Sequence, residues 1–227
     1  MKKVAVILSG CGVYDGSEIQ EAVFTMLAIQ QNGASYQCFA PDKDQLHVIN
    51  HTNGEVMEPK RNVLVESARI ARGDIKALTE INTTDYAALI IPGGFGAAKN
   101  LNQWAIAGPD GEIDASVKNT VQQFIQAGKP VCGLCMGPTV IAKALEGTAI
   151  KATLTIGTTA EKSPYDIAAI AAGMEKIGAV TEMKTIREVC IDPVNKIVTA
   201  PCYMMEANIA EIFENVQLAV RETMRMI

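Results

Sequence analysis

Several things are scarce in this chain, and each scarcity excludes something. No apolar stretch of its 227 residues approaches the length of a membrane-spanning helix, so no membrane is expected as a partner. The net charge is −5, aromatics make up 5%, and no basic run occurs, which argues against nucleic acid as a partner. Gly10, Gly12 and Gly16 lack the G-x-G-x-x-G spacing, and no acidic residue ends the second strand to hold a ribose; no nucleotide cofactor is expected. Only two histidines are present, His47 and His51, both in one early segment. The single C-x-x-C, Cys132 to Cys135, has no second pair, so no metal site is expected. Met1-Lys2-Lys3 leads directly into a strand with no secretory apolar run, and six cysteines then suggest reduced thiols in a cytoplasm.

What remains is 48% hydrophobic and 20% charged, the composition of a globular protein, and long enough for one domain over 1–227 with a sizeable core. Short apolar runs alternate with amphipathic segments. Val4–Leu8, Tyr36–Ala40, Tyr86–Ile91 and Val131–Leu134 are expected to be buried strands, with a shorter one at Ala152–Ile156. Helices are expected from a Ser17 cap to Gln31, and over Asn62–Arg72, Val117–Gln126, Ile167–Ile177 and Glu206–Met226. Asn53-Gly54 and Asp192-Pro-Val-Asn195 predict two hairpins as additions to the main sheet. The alternation predicts an α/β fold, a doubly wound, mostly parallel sheet with helices on both faces. Such sheets bind ligands at the carboxyl ends of strands.

Three loops are expected to meet there. The most informative is Lys129-Pro-Val-Cys-Gly-Leu-Cys-Met-Gly-Pro-Thr139, where the strand breaks at Cys135 and Gly137-Pro138 opens a helix. A thiol at that turn lies beside the unpaired N–H groups of the helix start, which favour thiolate. The plain alternative is a packed strand residue. Pro92-Gly-Gly-Phe-Gly96 can turn backbone N–H groups toward a neighbour, as an oxyanion hole requires, or can be a simple tight turn. Glu18, ending the loop after the first strand, can favour its helix dipole or reach Cys135 and shuttle a proton.

Cys135-x-Gly137-Pro138-Thr139, the Pro-Gly-Gly loop and the early Glu18 together resemble the class I glutamine-amidotransferase-like superfamily, which holds deglycase-type proteins and PfpI-type proteases. Leu8-Ser-Gly-Cys-Gly-Val-Tyr-Asp-Gly-Ser-Glu18, Cys38-Phe-Ala-Pro-Asp42, Arg61-Asn-Val-Leu64, Pro92–Leu101 and Asn195–Thr199 resemble its ElbB branch, which has been linked to isoprenoid biosynthesis. The resemblance implies a flavodoxin-like fold, Cys135 as nucleophile, Glu18 as its carboxyl partner, and the N–H groups of Gly94 and Met136 as oxyanion donors. It implies a cofactor-free, inefficient glyoxalase (a lyase) turning glyoxal into glycolate, and a homodimer. The chain departs from the superfamily in its histidines. Thr199-Ala-Pro-Cys-Tyr203 stands where amidotransferases carry one, Met136 where the proteases do, and Thr155-Ile-Gly157 where the deglycase-type proteins do. Without that base, amidotransferase or protease chemistry is disfavoured. A non-enzymatic redox sensor or chaperone-like protein using the same thiol is the other reading.

Overall fold

A computed structural model describes residues 2–227. Its strands are Lys3–Ile7 (β1), Ser35–Ala40 (β2), Ile75–Ala77 (β3), Ala88–Ile91 (β4), Val131–Leu134 (β5), Thr153–Leu154 (β6), Val180–Thr181 (β7), Cys190–Asp192 (β8) and Ile197–Ala200 (β9). The α-helices are Ile19–Gln31 (α1), Val63–Ile70 (α2), Trp104–Ala107 (α3), Ala115–Gln126 (α4), Gly137–Leu145 (α5), Ile167–Lys176 (α6) and Ile209–Arg225 (α7). Seven strands form one sheet in the order β3-β2-β1-β4-β5-β9-β8, parallel except for β8. This is the expected doubly wound α/β arrangement. Val4–Ile7, β4 and β5 are wholly buried because both sheet faces are covered, which is why these strands read as unbroken apolar runs. Helices α1 and α7 pack together, as do α4 and α5, and each pair lies against the sheet.

The chain runs outward from β1 through β2 to β3, then returns to the other side of β1 with β4. The strand order therefore reverses between β1 and β4, and a crevice opens above their carboxyl ends. The loop after β1 and the loop after β4 are laced together there. Phe95 N–H donates to the Val13 carbonyl at 2.7 Å, Gly96 N–H to the Gly16 carbonyl at 2.8 Å, and Glu18 N–H to the Gly93 carbonyl at 2.9 Å. Asn100, nearly fully buried, adds Nδ2 bonds to the carbonyls of Ser9 (2.8 Å) and Asp15 (2.9 Å).

Three expectations need correction. Ser17 is not the cap of α1: its hydroxyl turns inward to accept the Ser9 N–H at 2.9 Å, and Glu18 caps the helix. The second hairpin is no addition, because β9 pairs in parallel with β5 and extends the main sheet; a strong local turn signal hid a long-range pairing. The first hairpin is reduced to a single bridge, Ile49 with Val56. The short strands β3 and β7 were not anticipated.

Candidate active site

Cys135 follows β5 directly and adopts φ +54°, the left-handed region that costs a residue with a Cβ about 1–3 kcal/mol. Its N–H still holds the sheet, donating to the Ala200 carbonyl at 3.0 Å. The bend turns the thiol onto the start of α5, where Pro138 sits in the first turn as expected. The side chain is buried, with only 5% of its surface exposed.

The loop after β4 closes over it. An added Cβ on Gly93 would lie 2.2 Å from the Cys135 Cβ, 2.9 Å from its sulfur and 2.6 Å from Oε2 of Glu21, so only glycine permits the approach. Gly94 follows with φ +94°. Its N–H and that of Met136 face the Cys135 sulfur and favour its charged form. The sequence-predicted pair of N–H donors thus meets at the predicted thiol.

Glu18 is a different matter. Its Oε2 accepts the Glu21 N–H at 2.7 Å, so its carboxyl is spent on capping α1, and it does not partner the thiol. The carboxyl that does is Glu21, one turn further on and wholly buried. Glu21 Oε2 accepts the Gly93 N–H at 3.0 Å and Oε1 accepts the Tyr203 N–H at 3.2 Å, which places the carboxyl beside Cys135 across Gly93. Burial, with the nearby Glu18 charge, pushes Glu21 up to about 8 against these bonds. Glu21 is therefore mostly neutral at neutral pH and can donate its proton to the sulfur.

The thiol itself departs from expectation. Burial and the Glu21 charge hold Cys135 well above an ordinary cysteine and outweigh the two facing N–H groups. The resting site is a thiol beside a carboxylic acid, not a free thiolate. It can exchange protons between sulfur, carboxyl and a bound oxygen without creating a net buried charge.

Two further groups lie at the site: Tyr165, which sequence reasoning missed, and Cys202, which as a residue following a strand is expected to be able to line a pocket. Tyr165 packs edge-on against Phe95, ring centres 5.9 Å apart, and burial together with Cys135 and Glu21 pushes its phenol up to about 12. Cys202, fully buried after β9, lies within electrostatic reach of Glu21, Cys135 and Cys132. Neither histidine joins this cluster in a catalytic pose. His51 stacks on Tyr14 at 4.9 Å, and its Nε2 accepts the Tyr14 N–H at 3.2 Å and lies 3.8 Å from Asp15. Those contacts fasten the early hairpin to the loop after β1. Among the described residues, no cluster of three or more His, Cys, Asp or Glu could hold a metal, and no helix is long and apolar enough to cross a membrane.

Comparison with known proteins agrees with the fold. A human protein named glutamine amidotransferase-like class 1 domain-containing protein 3, mitochondrial, is 42% identical over 228 residues, covering 99% of this chain and 83% of the relative. A rat ES1 protein homolog, mitochondrial, is 40% identical with 99% and 84% covered. A crystal structure of an isoprenoid biosynthesis protein with an amidotransferase-like domain from Ehrlichia chaffeensis superposes with a TM-score of 0.90 at 33% identity, covering 100% of this chain and 99% of that one. Drosophila DJ-1beta shares the fold, with a TM-score of 0.54 at 14% identity and 99% and 95% covered. The DJ-1/PfpI family pattern matches residues 2–201, and the chain belongs to that family.

Proposed function

We propose that the protein is a cysteine-dependent, cofactor-free glyoxalase of low efficiency acting on small dicarbonyls, with glyoxal going to glycolate. The observation that carries this reading is the neutral Glu21 acid buried against the Cys135 thiol, with the Gly94 and Met136 N–H groups facing the same sulfur. In this reading the sulfur adds to one carbonyl carbon. The thiol proton passes to Glu21 as Glu21 protonates the new oxygen, and Gly94 and Met136 stabilise charge developing on that oxygen. Glu21 then gives its proton to the remaining aldehyde oxygen as it takes the hydrogen from the sulfur-bearing carbon, forming an enediol. It next protonates the neighbouring carbon and takes back the proton of the first hydroxyl, giving a glycolyl thioester. Water cleaves it and restores the thiol. An aldehyde has no leaving group to protonate, so the sequence needs no histidine.

The family includes enzymes such as deglycases and proteases. Protease or amidotransferase chemistry is less well supported, because His51 is engaged with Tyr14 and Asp15 rather than with Cys135. A thiol redox sensor or chaperone-like protein is the second reading, favoured by the grouping of Cys132, Cys135 and Cys202. Membership of the ElbB branch is supported by the likeness to the Ehrlichia isoprenoid biosynthesis protein. Action as one domain over 1–227 in the cytoplasm also belongs to this proposal; the mitochondrial names are those of the relatives. So does a homodimer, for which Ile19, Val23 and Leu27 supply an exposed apolar stripe along α1. Light scattering at micromolar concentration checks that assembly.

The deciding experiment is turnover of a panel of dicarbonyls by wild type, Cys135→Ala and Glu21→Gln. Glyoxal consumption lost in Cys135→Ala supports the proposal. No consumption by wild type, or undiminished consumption by Cys135→Ala, overturns it.

A further inference from the structure

Among the described residues, four other than glycine adopt left-handed backbone: Arg72, Cys135, Lys196 and Cys202. Arg72 ends the turn after α2 and Lys196 ends the turn between β8 and β9, both ordinary places for it. Cys135 and Cys202 are the other two, and they share a location. Each follows the carboxyl end of a strand, and the strands are neighbours: β5 pairs with β9 in parallel, Leu134 opposite Ala200. Cys135 lies one residue beyond that pair and Cys202 two beyond. Strained backbone of this kind is kept where surrounding structure enforces it, and it gathers at functional sites.

The structure enforces it at Cys202. Its N–H donates at 3.0 Å to Oδ1 of Asn215, a buried residue of α7, and Asn215 Nδ2 donates in turn to the Glu188 carbonyl at 2.8 Å. Pro201 fixes the residue before it. The result holds Cys202 beside the end of β5, within electrostatic reach of Cys135, whose own N–H donates to Ala200. The two cysteines thus stand on neighbouring chain segments just past the last paired residues of β5 and β9, offset by one position. Glu21 acts electrostatically on both thiols. Cys132 is held differently: it stands inside β5, opposite Val198, and is fully buried.

We propose that Cys202 is a resolving cysteine that forms a disulfide with Cys135 after a small peroxide has oxidised Cys135. In the first step the Cys135 sulfur attacks one peroxide oxygen. An S–O bond forms, the O–O bond breaks, and water leaves, giving a sulfenic acid. In the second, the Cys202 sulfur attacks the Cys135 sulfur. The S–S bond forms, the S–O bond breaks, and the departing oxygen leaves as water; Glu21 donates a proton to it and accepts the Cys202 proton. Two thiols lose two electrons and two protons, and hydrogen peroxide becomes two waters. A dithiol reductant restores the pair by exchange. The burial of Cys135 limits the oxidant to one as small as hydrogen peroxide. None of this depends on dicarbonyl turnover.

The test treats the reduced full-length protein with one equivalent of hydrogen peroxide, blocks remaining thiols under denaturing conditions, and maps peptides by mass spectrometry. The expected product is a Cys135–Cys202 linked peptide lacking two hydrogens, removed by dithiothreitol, and formed equally in Cys132→Ser. Cys202→Ser should instead accumulate Cys135 sulfinic acid that dithiothreitol does not reverse. If Cys202→Ser does not fold, the wild-type map still decides. Wild type carrying Cys135 sulfinic acid with a free Cys202 thiol overturns the proposal, as does Cys135 joined to Cys132 or to a second chain.

Discussion

At the amino ends of the strands, Lys2, Lys3, Lys129 and Lys196 line an open concavity together with Tyr86 and the last residues of the chain. Their ammonium groups stay near water and rest on carbonyls or rings: Lys129 Nζ on the carbonyls of Thr83 and Tyr86, Lys196 Nζ on that of Met226, Lys3 Nζ over the Tyr86 ring. At the carboxyl ends, Glu21, Cys135 and Cys202 are sealed from water, and burial pushes all three up. Both ends gather ionisable groups, but only one withholds solvent. Solvated charges keep their ordinary chemistry and contribute little to stability. Buried ones become neutral, which makes a proton available where no histidine stands.

The contrast breaks most completely if the carboxyl end cannot close. Gly93→Ala places a Cβ 2.2 Å from that of Cys135 and 2.6 Å from Glu21 Oε2, where neither neighbour can yield without moving an element end. We expect a loss of about 1–3 kcal/mol or more from overpacking, with turnover abolished. Thermal denaturation and a glyoxal assay check this together; a variant with wild-type melting and turnover would show that the loop is not closed over the thiol.

Glu21→Gln keeps the shape and removes the proton. Turnover should fall at least ~100-fold, the lower end for losing a general acid–base group. The same substitution exposes the cost of burial through pH. Glu21 is raised from 4.5 to about 8, so below about pH 4.5 it is neutral both folded and unfolded. Between there and about 8 the unfolded chain releases this proton and the folded chain does not, so wild-type stability falls across that window. Cys135 and Cys202 act with the same sign, but only above the ordinary cysteine value of 9.0. Denaturation midpoints of wild type and Glu21→Gln, followed across the window, should shift in favour of the variant as pH rises. Parallel curves would mean that Glu21 is ionised in the folded protein.

The sequence made the site's frame readable and misplaced its acid. Cys135 and the Gly93-Gly94 turn are legible because a strand end, a Gly-Gly turn and a Gly-Pro helix start are local signals, while Gly94 and Met136 as the donor pair are what the family resemblance implies. Glu18 is the partner that the resemblance implies and that its place at the end of the loop after the first strand allows. With the cap at Glu18, the buried face of α1 runs through Glu21, Ala22, Thr25, Met26, Ala28 and Ile29. A glutamate on an apolar stripe is the signal that could have found it. Cys202 is readable as a residue after a strand that could line a pocket, but which pocket is not, and Tyr203 carries no signal at all. Both come to the site only because β9 pairs with β5, and no local pattern carries that pairing.

Glu18 then provides a sharper form of the comparison, two carboxyls one helical turn apart. Glu18→Ala removes a cap and should cost about 1 kcal/mol by denaturation. Glu18→Gln keeps an oxygen for the Glu21 N–H and should retain most of the turnover. A ~100-fold loss in Glu18→Gln would return the relay to Glu18 and undo the assignment to Glu21.

The smallest effect belongs at the amino end. Lys129→Met deletes three bonds, to the carbonyls of Thr83 at 2.6 Å, Tyr86 at 2.7 Å and, more weakly, Thr84 at 3.4 Å, and a contact 5.8 Å from the centre of the Phe124 ring. Charge-assisted bonds count for about 1.5–3 kcal/mol when sealed from water. Here the ammonium is only half-buried and the carbonyls can turn to solvent, so about 1 kcal/mol is expected. Glyoxal turnover should stay at wild-type level, because β4 and β5 separate this edge from the thiol along their full length. A fall in turnover without a matching fall in stability would mean that charge at the amino edge reaches the buried acid through the sheet, and that the two ends are not independent.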